Sequence, residues 1–458
     1  MPPRWCLLGL CAGCDAAPAV AVDASAAVDV APDRPDAPAD VPRSRDARVD
    51  VPRERADAAA PRCYGVAGAP GLLTHAGSIP RESGGLSNGA GGCVGDVDGD
   101  GRREYLLPRM SEPSELIGAD LCSRGRVLLP EHARDCVVAD VDGQPGAEVV
   151  VISNVGWTAE GRVTLGRVAP ASPSDDTPER FVWRELAALD DARSIWALGA
   201  PHAAVTDLDR DGRAELAVAG SYPTAFLRVW GADGARWATR FAQDLTATVD
   251  ETHGILSGDL DADGDAEVVL LGACGRQGRH VVRVFDAWAA DGFADLALDG
   301  PVQGALADLD GAAPPELVLY ESWRCDEPRA APTSGLRVFR HDPTARAMRP
   351  VAARAAAAGS REFGFVAALD VAGDPAREVL ACTVAYGVAA PPRTCRLFAL
   401  RGGALEPVPS ADAPFVWTSP ARRATLASVL VDDLDGDGAA EVFLQGQEHV
   451  DVLRGPRR

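Results

Sequence analysis

Residues Gly95–Pro108 read GDVDGDGRREYLLP, and the phrase returns six more times: ADVDGQPGAEVVVI from Ala139, TDLDRDGRAELAVAG from Thr206, GDLDADGDAEVVLLG from Gly258, ADLDGAAPPELVLY from Ala307, LDVAGDPAREVLAC from Leu369 and DDLDGDGAAEVFLQG from Asp432. The first aspartates, Asp96, Asp140, Asp207, Asp259, Asp308, Asp370 and Asp433, stand 44 to 67 residues apart. Each phrase joins two strand signals. A short apolar stretch such as CVVADV or FVAALDV precedes it, and a run rich in Val and Leu, opening at a Glu, follows. Six units then show a third β-type run (RVTLGRV, LRVWGA, VVRVFDA, LRVFRHD, CRLFALR, VDVLRG), and a weaker fourth, such as FVWREL, often comes after it. Four short strands per unit, seven units and no helical periodicity predict an all-β fold, a seven-bladed β-propeller. The last unit is one strand short, and residues 63 to about 90 precede the first. That N-terminal piece is expected to complete the last blade and close the ring.

The loop between the first two strands carries the chemistry. Oxygens at alternate positions of a tight turn face one concavity, and glycine at position six lets the backbone bend around it. Four loops are complete: Asp96, Asp98, Asp100 and Glu104; Asp207, Asp209, Asp211 and Glu215; Asp259, Asp261, Asp263 and Glu267; Asp433, Asp435, Asp437 and Glu441. The seventh residue, Arg102, Arg213, Asp265 or Ala439, is placed to offer its carbonyl. Such a nest of hard oxygens selects Ca²⁺, and about four sites are expected. Without a cation the crowded carboxylates repel one another. The last acid falls at position nine and strands flank the loop, so this is not an EF-hand. Three copies have decayed: Gln144 and Pro145, Ala312 and Pro314, and Ala372 and Pro375 interrupt the pattern, which predicts metal-free turns there.

The phrase Asp-x-Asp-x-Asp-Gly-x-x-Glu between two strands resembles the VCBS and FG-GAP repeats, the family of the integrin α-chain propeller, over residues 63–458. Phe363-Gly364 stands where an FG is expected and His253-Gly254 approximates one, so the match is nearer the broader VCBS type. The resemblance implies a calcium-bearing propeller used in adhesion or ligand binding.

The ends and the cysteines point to export. Residues 1–14, MPPRWCLLGLCAGC, combine one Arg, an apolar run and small residues before a Cys. They resemble a bacterial lipoprotein signal in which Cys14 becomes the lipidated first residue. Residues 15–62 hold no aromatic, Leu, Ile or Gly, cannot build a core, and read as a disordered tether. The expected localisation is the bacterial cell envelope, reached through the lipid anchor alone. Eight further cysteines, Cys63, Cys93, Cys122, Cys136, Cys274, Cys325, Cys382 and Cys395, suit four disulfides in an oxidising compartment. Two pairs are expected: Cys382 with Cys395 across a hairpin, and Cys63 with Cys93.

Composition narrows the function. The 45 basic residues are all arginine, so chemistry that needs a lysine ammonium is excluded. The net charge of −22 argues against nucleic acid and anionic lipid surfaces as partners. Gly85-Leu86-Ser87-Asn88-Gly89 matches G-x-S-x-G but lacks the strand before and helix after that a nucleophile elbow needs, and no HExxH occurs. An aromatic follows the second strand in four units, Trp157, Tyr222, Trp323 and Tyr386, and these rings are candidates for a platform that binds a carbohydrate or protein ligand. The expectation is a monomeric binding or adhesion module and not an enzyme. The alternatives are a propeller-based polysaccharide lyase or other hydrolytic enzyme without a recognisable motif, and a purely structural envelope component.

Overall fold

The computed structural model describes residues 62–65, 72–81 and, with interruptions, 91–456. Strands are the only regular elements among the described residues. The second strand of a unit shows the physical reason. In Glu215–Gly220 (ELAVAG), Glu316–Glu321 (ELVLYE) and Glu441–Gln445 (EVFLQ) every residue is buried, because sheets cover both faces. A doubly covered strand needs continuous apolar sequence, where a half-exposed one needs alternation.

Three units are four-stranded antiparallel meanders, running from His202–Thr206 to Arg236–Asp244, from Glu251–Gly258 to Ala294–Leu298, and from Val302–Ala307 to Ala347–Ala355. The next begins at Glu362–Leu369 and has five strands, because Val416–Thr418 also pairs with Arg393–Arg401. The last unit supplies Ser428–Asp432, Glu441–Gln445 and His449–Arg454. Its outer strand is Thr74–Pro80, paired antiparallel from Thr74 with Arg454 to Pro80 with His449. The N-terminal segment therefore completes the C-terminal sheet.

The first two units depart from the expectation of seven separate blades. Their strands, Cys93–Gly95 to Ser123–Val127 and Ala133–Ala139 to Phe181–Leu189, merge into one eight-stranded sheet through a single parallel pair, Val127 with Phe181. Both residues are buried in one apolar cluster, which draws the two outer edges together. The prediction is thus corrected to five separate propeller-type sheets and one fused sheet. Innermost strands still follow one another: Cys93–Gly95 lies beside Ala133–Ala139, which lies beside His202–Thr206, and so on to Glu362–Leu369 beside Ser428–Asp432. The apolar clusters sit between successive units. Ile152 and Leu165 of the second unit pack with Leu216 and Phe226 of the third.

Cys382 and Cys395 are bonded across the hairpin, as expected from their place in register. The pairing of Cys63 with Cys93 is corrected. Cys63 forms a bridge opposite Cys122, with Cα atoms 4.0 Å apart, and bonds to it. Cys93 bonds Cys136, which joins the inner strands of two neighbouring units. Peptide mapping under non-reducing conditions should return these three pairs, and a Cys63–Cys93 peptide would contradict the topology. Cys325 and the side chain of Cys274 lie outside the described residues, as do residues 1–14 with Cys14, residues 15–61 and the Gly85–Gly89 motif.

Candidate metal centres

The four complete loops share one backbone form. Positions four and six both take the left-handed conformation: Gly99 and Gly101 (φ 75° and 84°), Arg210 and Gly212 (58° and 82°), Ala262 and Gly264 (60° and 89°), Gly436 and Gly438 (69° and 83°). The position-six amide then turns inward. Gly101, Gly212, Gly264 and Gly438 donate N–H to Oδ2 of Asp96, Asp207, Asp259 and Asp433 at 3.1, 3.0, 2.9 and 2.9 Å. The position-seven amides of Arg102, Arg213, Asp265 and Ala439 donate to Oδ1 of the position-five aspartate, each at 2.8 Å.

The closing glutamate does a second job in every unit. Its Oε2 accepts the amide of the residue after the first aspartate: Val97 to Glu104, Val141 to Glu148, Leu208 to Glu215, Leu260 to Glu267, Leu309 to Glu316, Val371 to Glu378 and Leu434 to Glu441. All seven glutamates are buried. Each pins its loop to the second strand, in decayed units as in complete ones.

One oxygen of Asp96, Asp98 and Glu104 can gather within 4.8 Å, as can those of Asp259, Asp261 and Asp263 and those of Asp433, Asp435 and Glu441. Asp209 lies outside the described residues, so the Asp207 nest is seen only in part. Burial, reinforced by the neighbouring aspartates, pushes the carboxyls of Glu104 and Glu267 up to about 8. Glu441 is raised by the same burial, with Arg454 acting in the opposite direction. Buried oxygens without a hydrogen-bond partner, Asp96 Oδ1, Asp207 Oδ1, Asp259 Oδ1 and Glu267 Oε1, complete the picture. A donor set of hard, desolvated, mutually repelling carboxylate oxygens fits a hard divalent cation.

The Asp308 loop, predicted to be a plain turn, also brings Asp308, Asp310 and Glu316 within 4.8 Å. Its turn is tighter, with Asp308 Oδ1 accepting from Gly311 at 2.7 Å, three residues on. The Asp370 loop does the same through Gly373 at 2.7 Å.

Arginines join adjacent loops. Arg210 of one loop pairs with Asp263 (3.0 Å) and Asp265 of the next, and Arg103 pairs with Asp432 at 2.5 Å, linking the first loop to the last. Beside that link a cleft of ≈ 490 Å³ is lined by Arg103, Asp370, Arg377, Asp432 and Asp433 among others. The proposed aromatic platform of Trp157, Tyr222, Trp323 and Tyr386 lies outside the described residues. Sequence reasoning missed one buried polar centre altogether. Asp451, fully buried, accepts from Ser78 Oγ (2.7 Å), Ser419 Oγ (2.7 Å) and Arg393 Nη1 (3.2 Å). Those partners lie on the closing strand and on the neighbouring unit, too far apart in the chain for local pattern to link.

No family model and no curated protein matches the chain. Solved structures do. An exotype rhamnogalacturonan lyase, YesX, is similar at 16% identity and TM-score 0.47 over 83% of this chain and 75% of that one. The Bacillus licheniformis rhamnogalacturonan lyase PL11 is similar at 15% identity and TM-score 0.42 over 82% and 74%. BBS1N, in its complex with ARL6DN, is similar at 10% identity and TM-score 0.50 over 85% and 98%. At such identities the likeness is one of fold, a propeller-type arrangement of small sheets. The tie to VCBS and FG-GAP repeats rests on the loop motif alone.

Proposed function

We propose that this chain is an exported, calcium-stabilised propeller that binds a carbohydrate or protein ligand at the cell envelope. The observation that carries the calcium half is the set of buried, unpartnered carboxylate oxygens in the nests of Asp96, Asp207 and Asp259. A hairpin whose aspartates only cap backbone amides would leave its spare oxygens in water. Three disulfides fit an oxidising compartment, and Cys14 would supply the anchor. Calorimetric titration of Ca²⁺ into the chelator-stripped protein should find about four sites; a flat titration sinks the calcium assignment.

For the binding half, Trp157→Ala combined with Trp323→Ala should abolish retention on a glycan array or partner resin while leaving the melting temperature nearly unchanged. A large loss of stability would instead make these rings packing residues. The nearest approach to a nucleophile triad among the described residues does not favour a hydrolase. His75 Nε2 faces Ser78 Oγ at 3.1 Å and Asp451 at 3.8 Å, so the same nitrogen meets nucleophile and acid. A working base needs them on opposite nitrogens. Ser78 donates its own proton to Asp451.

A further inference from the structure

We propose that the residue facing a nest's closing glutamate from the third strand decides which cation the nest holds, and that Arg340 is the resident cation of the Asp308 nest. The inference rests on the calcium reading above and sorts the nests within it.

In every unit Oε2 of the glutamate is committed to the loop amide, so Oε1 is the oxygen left to face a cation. One register step beyond the pair Leu317–Phe339 stands Arg340 opposite Glu316. Its Nε donates to Glu316 Oε1 at 2.9 Å, and its Nη2 reaches that same oxygen and Asp310 Oδ2, the latter at 2.6 Å. One guanidinium thus spans two of the three acids that come together there. Arg454, paired in register with Glu441, makes a lesser claim. Its Nε donates to Glu441 Oε1 at 2.6 Å, but its Nη2 goes to the Ala119 carbonyl at 2.7 Å and leaves the aspartates of that nest to a metal.

The second unit, whose loop has decayed, repeats the arrangement: one step beyond Val149–Gly166 stands Arg167, whose Nε donates to Glu148 Oε1 at 2.5 Å. In the Asp96 and Asp259 units the residue at this position is not a cation. One step beyond Tyr105–Ile117 is Gly118, and the residue after Phe285, the partner of Val268, is Asp286. Glu267 Oε1 is buried without a partner, and Asp259, Asp261 and Asp263 all act on its carboxyl. The guanidinium is permanently charged and forked to match carboxylates. A dication entering the Asp308 nest must first displace this guanidinium from both acids, which offsets much of the gain from neutralising them. The Asp96 and Asp259 nests therefore hold a divalent ion with their full carboxylate set, the Asp433 nest holds one with its glutamate already engaged, and the Asp308 nest holds none.

The test is a Ca²⁺ titration of the full chain, read as the number of sites. Arg340→Ala should bind one more ion than the parent, and adding Asp310→Ala should remove the extra site. Asp310→Ala alone should change nothing. Gly118→Arg should bind one ion fewer; a Cβ there first meets the flexible guanidinium of Arg124, so the change is accommodated. The proposal is overturned if Asp310→Ala alone lowers the count, if folded Arg340→Ala gains no ion, or if Gly118→Arg loses none. Should Arg340→Ala fail to fold, the Asp310 and Gly118 variants decide. A parent chain that binds no Ca²⁺ overturns the calcium reading itself, whereas a parent that binds it with any of these three results overturns only this sorting.

Discussion

Chelation of calcium is expected to lower the unfolding temperature by about 5–15 °C, taking roughly 2–4 °C per kcal/mol for a chain of this class. Extracellular calcium modules bind with dissociation constants on the order of 10⁻⁴ to 10⁻³ M. At about 1 mM Ca²⁺ each nest then contributes roughly 0.4–1.4 kcal/mol, and four nests about 2–6 kcal/mol. Asp98→Ala, Asp209→Ala, Asp261→Ala and Asp435→Ala together should erase most of that difference. Asp142→Ala and Asp310→Ala, in decayed loops, should leave it nearly intact.

The pH dependence gives this result a direction that simple loop stiffening would not. Glu104 and Glu267 are raised to about 8 in the fold from an ordinary value of 4.5, first by burial and then by their aspartate neighbours. A raised carboxyl binds its proton more tightly folded than unfolded. Its stabilisation is therefore present in full below pH 4.5 and is lost as pH rises from there to about 8. In chelator the protein should weaken over that window. With Ca²⁺ the metal replaces the proton, and its grip tightens as competition for the carboxylates fades. The separation between the two melting curves should widen from pH 5.5 to pH 8. Calorimetry decides it: coincident curves, or a gap that does not move with pH, would mean the loops are turns capped by aspartate.

What could be read from the sequence was what lies close along it. Acids at positions one, three, five and nine and the glycine at six sit within nine residues, and the nests form where they repeat. The left-handed residue at position four was hidden, because Arg210 and Ala262 adopt that conformation without being glycine. The glutamate's hold on the loop amide was hidden in another way: a residue that ligates and a residue that pins the loop look alike in a motif. Features set by strand register were out of reach. Arg340 meets Glu316 from 24 residues away, Val127 meets Phe181 only where two outer edges touch, and Cys63 finds Cys122 through a bridge that no spacing announces. The closing strand was foreseeable because a sheet one strand short exposes an edge. Its polar lock was not.

That lock carries the second large effect. Asp451→Ala is expected to cost about 3–5 kcal/mol, the range for removing one partner of a buried ion pair, and so to lower the melting temperature by roughly 10 °C. Asp451 and Arg393 are both fully buried. Burial alone would raise the aspartate, yet the close approach of His449 (3.4 Å), the hydroxyls of Ser78 and Ser419, and the charge of Arg393 hold it down to about 2. A depressed carboxyl stabilises above its unfolded value near 3.9, and that contribution is lost as pH falls from there towards 2. Arg393 also donates to the Leu444 carbonyl at 2.7 Å, and removing Asp451 takes a buried carboxylate away from this buried charge. The damage should fall on ring closure, because Ser78 lies on the N-terminal strand, Asp451 on the C-terminal one, and Arg393 and Ser419 in the neighbouring unit. Arg393→Met added to Asp451→Ala should recover part of the loss, since the buried charge leaves with it. Hydrogen exchange would place the effect: faster exchange confined to Thr74–Pro80 and His449–Arg454 supports a closure lock, while a uniform increase over all units would refute it.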